Sequence, residues 1–246
     1  MHGARNDFIV ADARRQSIPD PSALAVRLCD RRSGIGADGL LLVEPSDVAH
    51  VRMRVVNADG SEAEMCGNGI RCLARYLDEA GEGATLRIET DAGVIETCVL
   101  EREPEYRVRV AMGTPRFETR ALDIGDAHFV SLGNPHVVLL RRSDDIDLVA
   151  TALELQRSPA LPEGANVHVA VVEGDRALRV RHWERGVGLT QACGTGAVAS
   201  AATAIRLGLV RSPVDVKVPG GELVVEWDGE GEAHLTGPAE RVFETG

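Results

Sequence analysis

Charged and apolar residues alternate in three stretches of this chain: Val51-Arg52-Met53-Arg54-Val55, Tyr106-Arg107-Val108-Arg109-Val110 and Leu178-Arg179-Val180-Arg181. A period of two with charge on alternate positions predicts half-buried antiparallel strands. Helical spacing is rarer. It predicts one helix over 22–32, starting after Pro21, and one over 144–155, stopping short of Pro159. Two more are predicted over 70–80 and 197–207, each following a Gly-rich turn. These two are the least polar, and a helix apolar around most of its circumference has to be buried. The pattern predicts an α+β protein of two similar lobes. Each lobe is expected to be a strongly bent, mainly antiparallel, barrel-like sheet wrapped on a central helix.

Both Gly-rich turns have the form Cys-Gly-x-Gly: Cys66-Gly67-Asn68-Gly69 and Cys193-Gly194-Thr195-Gly196. Their surroundings repeat as well. Asn6 stands 60 residues before Cys66, and Asn134 stands 59 before Cys193, each ahead of an apolar run. Asp38 follows Asn6 by 32 residues, as Asn166 follows Asn134. Asn57 and Glu184 each stand nine residues before their cysteine. Chance similarity of β-rich segments does not keep so many markers in one order. We read an internal duplication with a seam near 117–126. The expected lobes are 1–118, carrying Cys66, and 119–246, carrying Cys193, with a strand over about 239–246 packing back on the first.

Length and composition fit this division. The 246 residues suit two domains of about 120 each. With 44% hydrophobic residues but only eight aromatics, the cores must be built mainly from Val, Leu, Ile and Ala. The net charge of −11 argues against a nucleic-acid partner, which would need clustered Lys and Arg. No run approaches the ~18 apolar residues of a membrane span, and residues 1–8 lack a signal-peptide apolar region. Five cysteines, an odd number without a dense framework, fit a reducing cytoplasm.

A thiol at the start of a helix sits at the positive end of the helix dipole, beside N–H groups with no partner in the helix. That setting is expected to lower its pKa and favour the thiolate. Two such thiols facing each other across a cleft could take a proton from one face of a carbon and return one to the other. The same N–H groups could bind a carboxylate and stabilise the charge that builds up as the proton leaves. No Lys-centred pyridoxal phosphate site, metal-ligand cluster or nucleotide fingerprint stands beside these motifs, so no cofactor or metal is expected.

Taken together, the runs His2-Gly3-x-x-Asn6-Asp7-Phe8, Gly34-Ile35-Gly36-Ala37-Asp38-Gly39, Asn57-Ala58-Asp59-Gly60-Ser61 and Cys66-Gly67-Asn68-Gly69-Ile70-Arg71-Cys72 resemble the diaminopimelate epimerase family. So do Gly133-Asn134-Pro135-His136, Asn166, Trp183-Glu184-Arg185-Gly186 and Thr190-Gln191-Ala192-Cys193-Gly194-Thr195-Gly196. The resemblance covers almost the whole chain, in both halves and in the right order. It implies that family's fold and a cofactor-independent interconversion of LL- and meso-2,6-diaminopimelate, in lysine and peptidoglycan-precursor biosynthesis. Carried over, Cys66 and Cys193 are the two acid/base thiols. Gly67, Asn68, Gly194 and Thr195 hold the reacting carboxylate. Asn6, Asn57, Asn134, Asn166 and Arg185 contact the substrate, mostly at its distal end. Glu184 binds the substrate amine and, with His136, sets the cysteine pKa values. The resemblance also implies a homodimer in the cytoplasm.

The chain departs from the family in places. Arg5 stands where some members carry Gly, Gly39 where some carry a substrate-facing Gln, and Phe243 where some carry a Tyr near the dimer contact. The link over 117–128 and the stretch before Asn6 are short. Cys29, Cys72 and Cys98 read as inert cysteines. His50, His128, His168, His182 and His234 read as surface or packing residues. Three rivals remain: a proline or hydroxyproline racemase, whose first motif opens Cys-Gly-His-Gly; a phenazine-biosynthesis-like isomerase lacking the thiol pair; and a non-catalytic amino-acid-binding protein or thiol redox sensor.

Overall fold

The computed structural model describes residues 1–122, 124–143 and 145–244. It divides into two compact units, one of residues Met1–Val110 joined by those from Gly237 onward, the other Ala111–Thr236. The seam falls before the expected 118/119. The strand β9 (Arg116–Glu118) pairs with β10 (Ala127–Ser131), which ties it to the second unit.

The first unit contains β1 (His2–Gly3), β2 (Asn6–Asp12), α1 (Pro21–Cys29), β3 (Gly39–Glu44), β4 (Val51–Asn57), β5 (Glu62–Ala63), α2 (Gly67–Glu79), β6 (Thr85–Thr90), β7 (Gly93–Glu101) and β8 (Arg107–Ala111). The second contains β9, β10, β11 (Pro135–Arg141), α3 (Leu148–Leu155), β12 (Asn166–Gly174), β13 (Ala177–Glu184), β14 (Gly188–Thr190), α4 (Gly194–Arg206), β15 (Val214–Val218) and β16 (Gly221–Glu226), and most of β17 (His234–Pro238).

The duplication is explicit in the pairing. In the first unit β1/β2 is antiparallel, β2/β3 parallel, β3/β4 and β4/β5 antiparallel, β4/β6 parallel, and β6/β7 and β7/β8 antiparallel. The second unit repeats the same sequence from β10/β11 to β16/β17. The sheets are not closed barrels. His2 and Glu240 exchange backbone bonds of 2.8 and 2.7 Å in the first unit, and Met112, Gly113 and Ala233 bond similarly in the second. The two parallel pairings per unit make the sheets mixed, although antiparallel pairs dominate.

Sheets carrying a helix on each face need strands that are apolar on both sides. Gly-Leu-Leu-Leu-Val in β3 meets that demand. Leu40 and Leu42 pack on Ala25 and Cys29 of α1, while a methyl of Leu41 lies against Gly69 in α2. In the second unit Val137, Leu139, Val167 and Val169 pack on α3. α1 has Pro21 in its first turn and is capped by Asp20, which accepts from Ala23 N–H at 2.9 Å. Asp147 caps α3 in the same way, from Ala150 N–H at 3.0 Å. The predicted start of α3 was Asp144, which lies outside the described residues. Both α2 and α4 end in glycines with positive φ, Gly81 and Gly208, whose N–H groups close the last turn. The helix starts lie three residues earlier than hydrophobic periodicity alone predicts, because the cysteines themselves are the caps. Among the described residues no helix is long and apolar enough to cross a membrane.

Candidate functional site

Cys66 occupies the N-cap of α2 in extended backbone conformation, and its sulfur accepts from Gly69 N–H at 3.4 Å. Its Sγ lies 3.6 Å from Asn6 Oδ1, which also accepts from Asn68 Nδ2 at 3.2 Å. Asn6 Nδ2 in turn donates to Asp38 at 2.8 Å, and Arg31 bridges Asp38 and Asp7. One side-chain network therefore joins Asn6, Cys66 and Asn68. Beneath them the guanidinium of Arg71 is fully buried and donates to Gly67 O, Asn68 Oδ1 and Pro238 O at 2.9, 2.8 and 3.1 Å. Burial lowers its pKa to about 10, which leaves it charged at neutral pH. Asn57 closes β4 opposite Gly39 and donates to Ser61 Oγ at 2.9 Å. A Cβ at position 39 would come within 2.9 Å of Val56 O, so this backbone suits glycine there.

The second half-site is assembled in the same topological place but with different chemistry. Cys193 is the N-cap of α4, 5% exposed, and its sulfur makes no side-chain cap bond. Thr195 Oγ1 lies 3.6 Å from it. Glu184 stands at the end of β13, where its carboxylate acts electrostatically on Cys193. The helix start does not lower this thiol's pKa as expected. Burial pushes it well above the usual thiol range, the Glu184 carboxylate adds to the rise, and Thr195 opposes only in part. Glu184 itself is raised, chiefly by burial. Asn166 Oδ1 accepts from Arg185 N–H at 2.9 Å, and the Arg185 guanidinium donates to Glu163 O.

His136 is buried between Asn134 and His168, with contacts of 2.8 Å at Nε2 and 2.9 Å at Nδ1. Its pKa falls to about 3, first through burial and then through nearby His182, so it carries no positive charge at neutral pH. His168 and His182, expected in surface or packing roles, are fully buried members of the same hydrogen-bonded line. Sequence reading also missed Arg71. The signal for His182 was present: the alternation Leu178, Val180 extends one step to it. Arg71 stands inside a run that resembles the family, but no periodicity marked it as buried, since a charged residue in a helix is usually exposed. Cys72 is fully buried, and burial pushes its pKa up to about 12.

Thus Asn6, Cys66, Gly67 and Asn68 gather at the start of α2, with Asn57 on β4 of the same unit. Glu184, Cys193, Gly194 and Thr195 gather at the start of α4, with Asn134, His136, Asn166 and Arg185 at the ends of β11 to β13. The sequence profile described as diaminopimelate epimerase matches residues 1–118 and 128–242. The chain belongs to the diaminopimelate epimerase family. The diaminopimelate epimerase of Desulforudis audaxviator is 45% identical over 99% of this chain and 96% of its own. That of Rhizorhabdus wittichii is 43% identical over 99% and 92%. Family membership makes the chain an isomerase of the epimerase class. Solved structures share the fold at low identity. A phenazine biosynthesis protein of the PhzF family from Bacillus anthracis has a TM-score of 0.71 at 19% identity, covering 94% of this chain and 89% of its own. A hydroxyproline epimerase from Agrobacterium vitis has 0.71 at 17%, covering 96% and 87%.

Proposed function

We propose that this chain epimerises LL-2,6-diaminopimelate to meso-diaminopimelate by passing protons through Cys66 and Cys193, without a cofactor. One thiolate takes the α-proton: the C–H bond breaks, an S–H bond forms, and the electron pair moves toward the adjacent carboxylate. The other thiol then gives its proton to the opposite face of that carbon and is left as the thiolate. The N–H groups of Gly67, Asn68, Gly194 and Thr195 hold the carboxylate and stabilise its developing charge.

The observation that carries this reading is the repetition of one device. In each unit a cysteine caps the buried central helix at the same step of the same strand order. Asn6, Asn57, Asn134, Asn166 and Arg185 are assigned to the rest of the substrate. Arg185 suits its distal carboxylate through a bidentate fork. Glu184 is assigned to an amine and to tuning Cys193. Because His136 is neutral, its assigned influence is exerted by orienting Asn134 rather than by charge.

The substrate places the enzyme in lysine and peptidoglycan-precursor biosynthesis, hence in the cytoplasm. The family resemblance supports a homodimer, which sedimentation would check. Incubating the protein with LL-diaminopimelate in heavy water should give the meso isomer carrying one deuterium at the inverted carbon. Cys66→Ala and Cys193→Ala should each lose at least about a thousandfold in turnover. Near-normal turnover by either would refute the two-thiol route. Racemisation of proline instead of diaminopimelate would overturn the substrate.

A further inference from the structure

Four side chains of the second unit form an unbroken line through its interior. Asn134 Oδ1 meets His136 Nε2 at 2.8 Å, His136 Nδ1 meets His168 Nε2 at 2.9 Å, and His168 Nδ1 meets His182 Nδ1 at 2.9 Å. The three imidazoles come from the neighbouring strands β11, β12 and β13. They are at most 1% exposed, and the line ends at His182 Nε2, which is buried and has no partner among the described residues. At the other end Asn134 is only half-buried, and its Nδ2 makes no hydrogen bond among the described residues.

Each contact in the line holds one hydrogen. Burial pushes His136 and His182 down to about 3 and His168 well below the usual imidazole range, so at neutral pH each ring carries a single N–H. Two arrangements satisfy all three contacts. In one, every N–H points toward Asn134, whose oxygen accepts, and His182 Nε2 is left as a bare lone pair. In the other, every N–H points away, the Asn134 amide is reversed, and His182 Nε2 carries a buried N–H with nothing to bond. A buried donor without an acceptor is the rarer and costlier state. The first arrangement therefore wins, and it is the one in which Asn134 Oδ1 faces His136.

We propose that His168 and His182 are positioning residues: with His136 they form a one-way chain of N–H bonds that fixes Asn134 with its NH2 group outward, as a donor for a carboxylate of the substrate. The proposal rests on Asn134 being a substrate contact. It gives that contact a sign, because an amide held this way receives a carboxylate and turns away an ammonium. The same chain reaches the catalytic helix. The ring of His168 lies so close to Gly196 that a Cβ there would come within 2.4 Å of it.

The test is the tautomer of each ring. In the full chain labelled with 15N-histidine, two-bond 1H–15N correlations at pH 7 should show the proton on Nε2 of His136, Nε2 of His168 and Nδ1 of His182. A proton on His182 Nε2 or His136 Nδ1 would overturn the proposal. Kinetics supply the second arm. His182→Leu should raise KM for diaminopimelate about fivefold with kcat within about twofold, the loss of one directed hydrogen bond. His182→Asn keeps a donor where Nδ1 stood and should restore KM. Equal losses in both variants would mean that His182 only fills space. If the wild-type chain leaves diaminopimelate untouched, the substrate reading fails while the tautomers still decide the chain's direction. The tautomers also decide it if His182→Leu does not fold.

Discussion

Arg71 Nη2 donates to Asn68 Oδ1 at 2.8 Å from a guanidinium with no exposed surface, and its three hydrogen-bond partners among the described residues are neutral oxygens. The bond fixes which end of the Asn68 amide is free to reach Asn6. Replacing Arg71 with Met leaves Asn68 Oδ1 and Pro238 O buried without this donor, at about 1–3 kcal/mol each. Relief from burying a charge offsets part of that. Arg71→Met is expected to lose about 2–4 kcal/mol in urea unfolding and at least about tenfold in kcat/KM. Arg71→Lys should not restore it, because one ammonium cannot reproduce a planar fork aimed at three acceptors. Full activity in either variant would remove Arg71 from the support of the site.

The Glu184 carboxylate raises the Cys193 pKa, second only to burial. Removing its charge works in the opposite direction. In Glu184→Gln the Cys193 thiolate should form at lower pH than in the wild type. The pH dependence of Cys193 alkylation, followed by peptide mass analysis, should therefore shift toward acid. Burial persists in the variant, so the thiol stays above the usual range. An alkaline shift would contradict the electrostatic coupling. Epimerase activity should fall in the same variant, since the assigned amine contact loses its charge.

The three buried imidazoles also shape stability against pH. Their folded pKa values lie below the usual 6.5, to about 3 for His136 and His182. For His136 and His182, unfolding between those limits takes up protons, so their stabilisation is full above about 6.5 and is lost as pH falls toward about 3, each with a slope of up to about 1.4 kcal/mol per pH unit. His168, lowered in the same direction by burial, adds to the decline. Urea unfolding at pH 7, 6, 5 and 4 should show the decline, and His182→Leu should flatten it by about one imidazole's share. An unchanged slope would mean that His182 does not change its protonation on unfolding.

Much of this architecture is legible in the residues, for reasons that also mark where legibility stops. The repeated Cys-Gly-x-Gly and the apolar stretches after it reveal two central helices, because a helix with little polar surface must be enclosed. The alternation through Leu178 and Val180 reveals β13, since period two depends only on which face is buried. Pairing direction leaves no such trace, so the parallel β2/β3 and β11/β12 contacts emerge only in three dimensions. The pKa of Cys193 misled for a related reason. Its place at a helix start is local and readable, whereas burial and the Glu184 carboxylate come from segments folded around it. Arg71 and the His168–His182 contact are likewise products of tertiary packing.

The third residues after the two cysteines, Gly69 and Gly196, occupy matching places in the motif but face different neighbours. A Cβ on Gly69 would meet a terminal methyl of Leu41 at 3.0 Å, and a Leu side chain can yield a few tenths of an ångström. A Cβ on Gly196 would meet three atoms of the His168 ring at 2.4–2.8 Å. That ring is held at both nitrogens and cannot turn aside without breaking the chain to Asn134. Gly69→Ala should therefore cost less than about 1 kcal/mol, and Gly196→Ala about 1–3 kcal/mol of overpacking. Activity should separate them further. In Gly196→Ala either the start of α4 or His168 must move, which displaces Cys193 or loosens Asn134, so kcat/KM should fall by at least about tenfold. Thermal unfolding and steady-state kinetics on the two variants side by side make the comparison. Equal effects would mean that His168 does not buttress the Cys193 helix start.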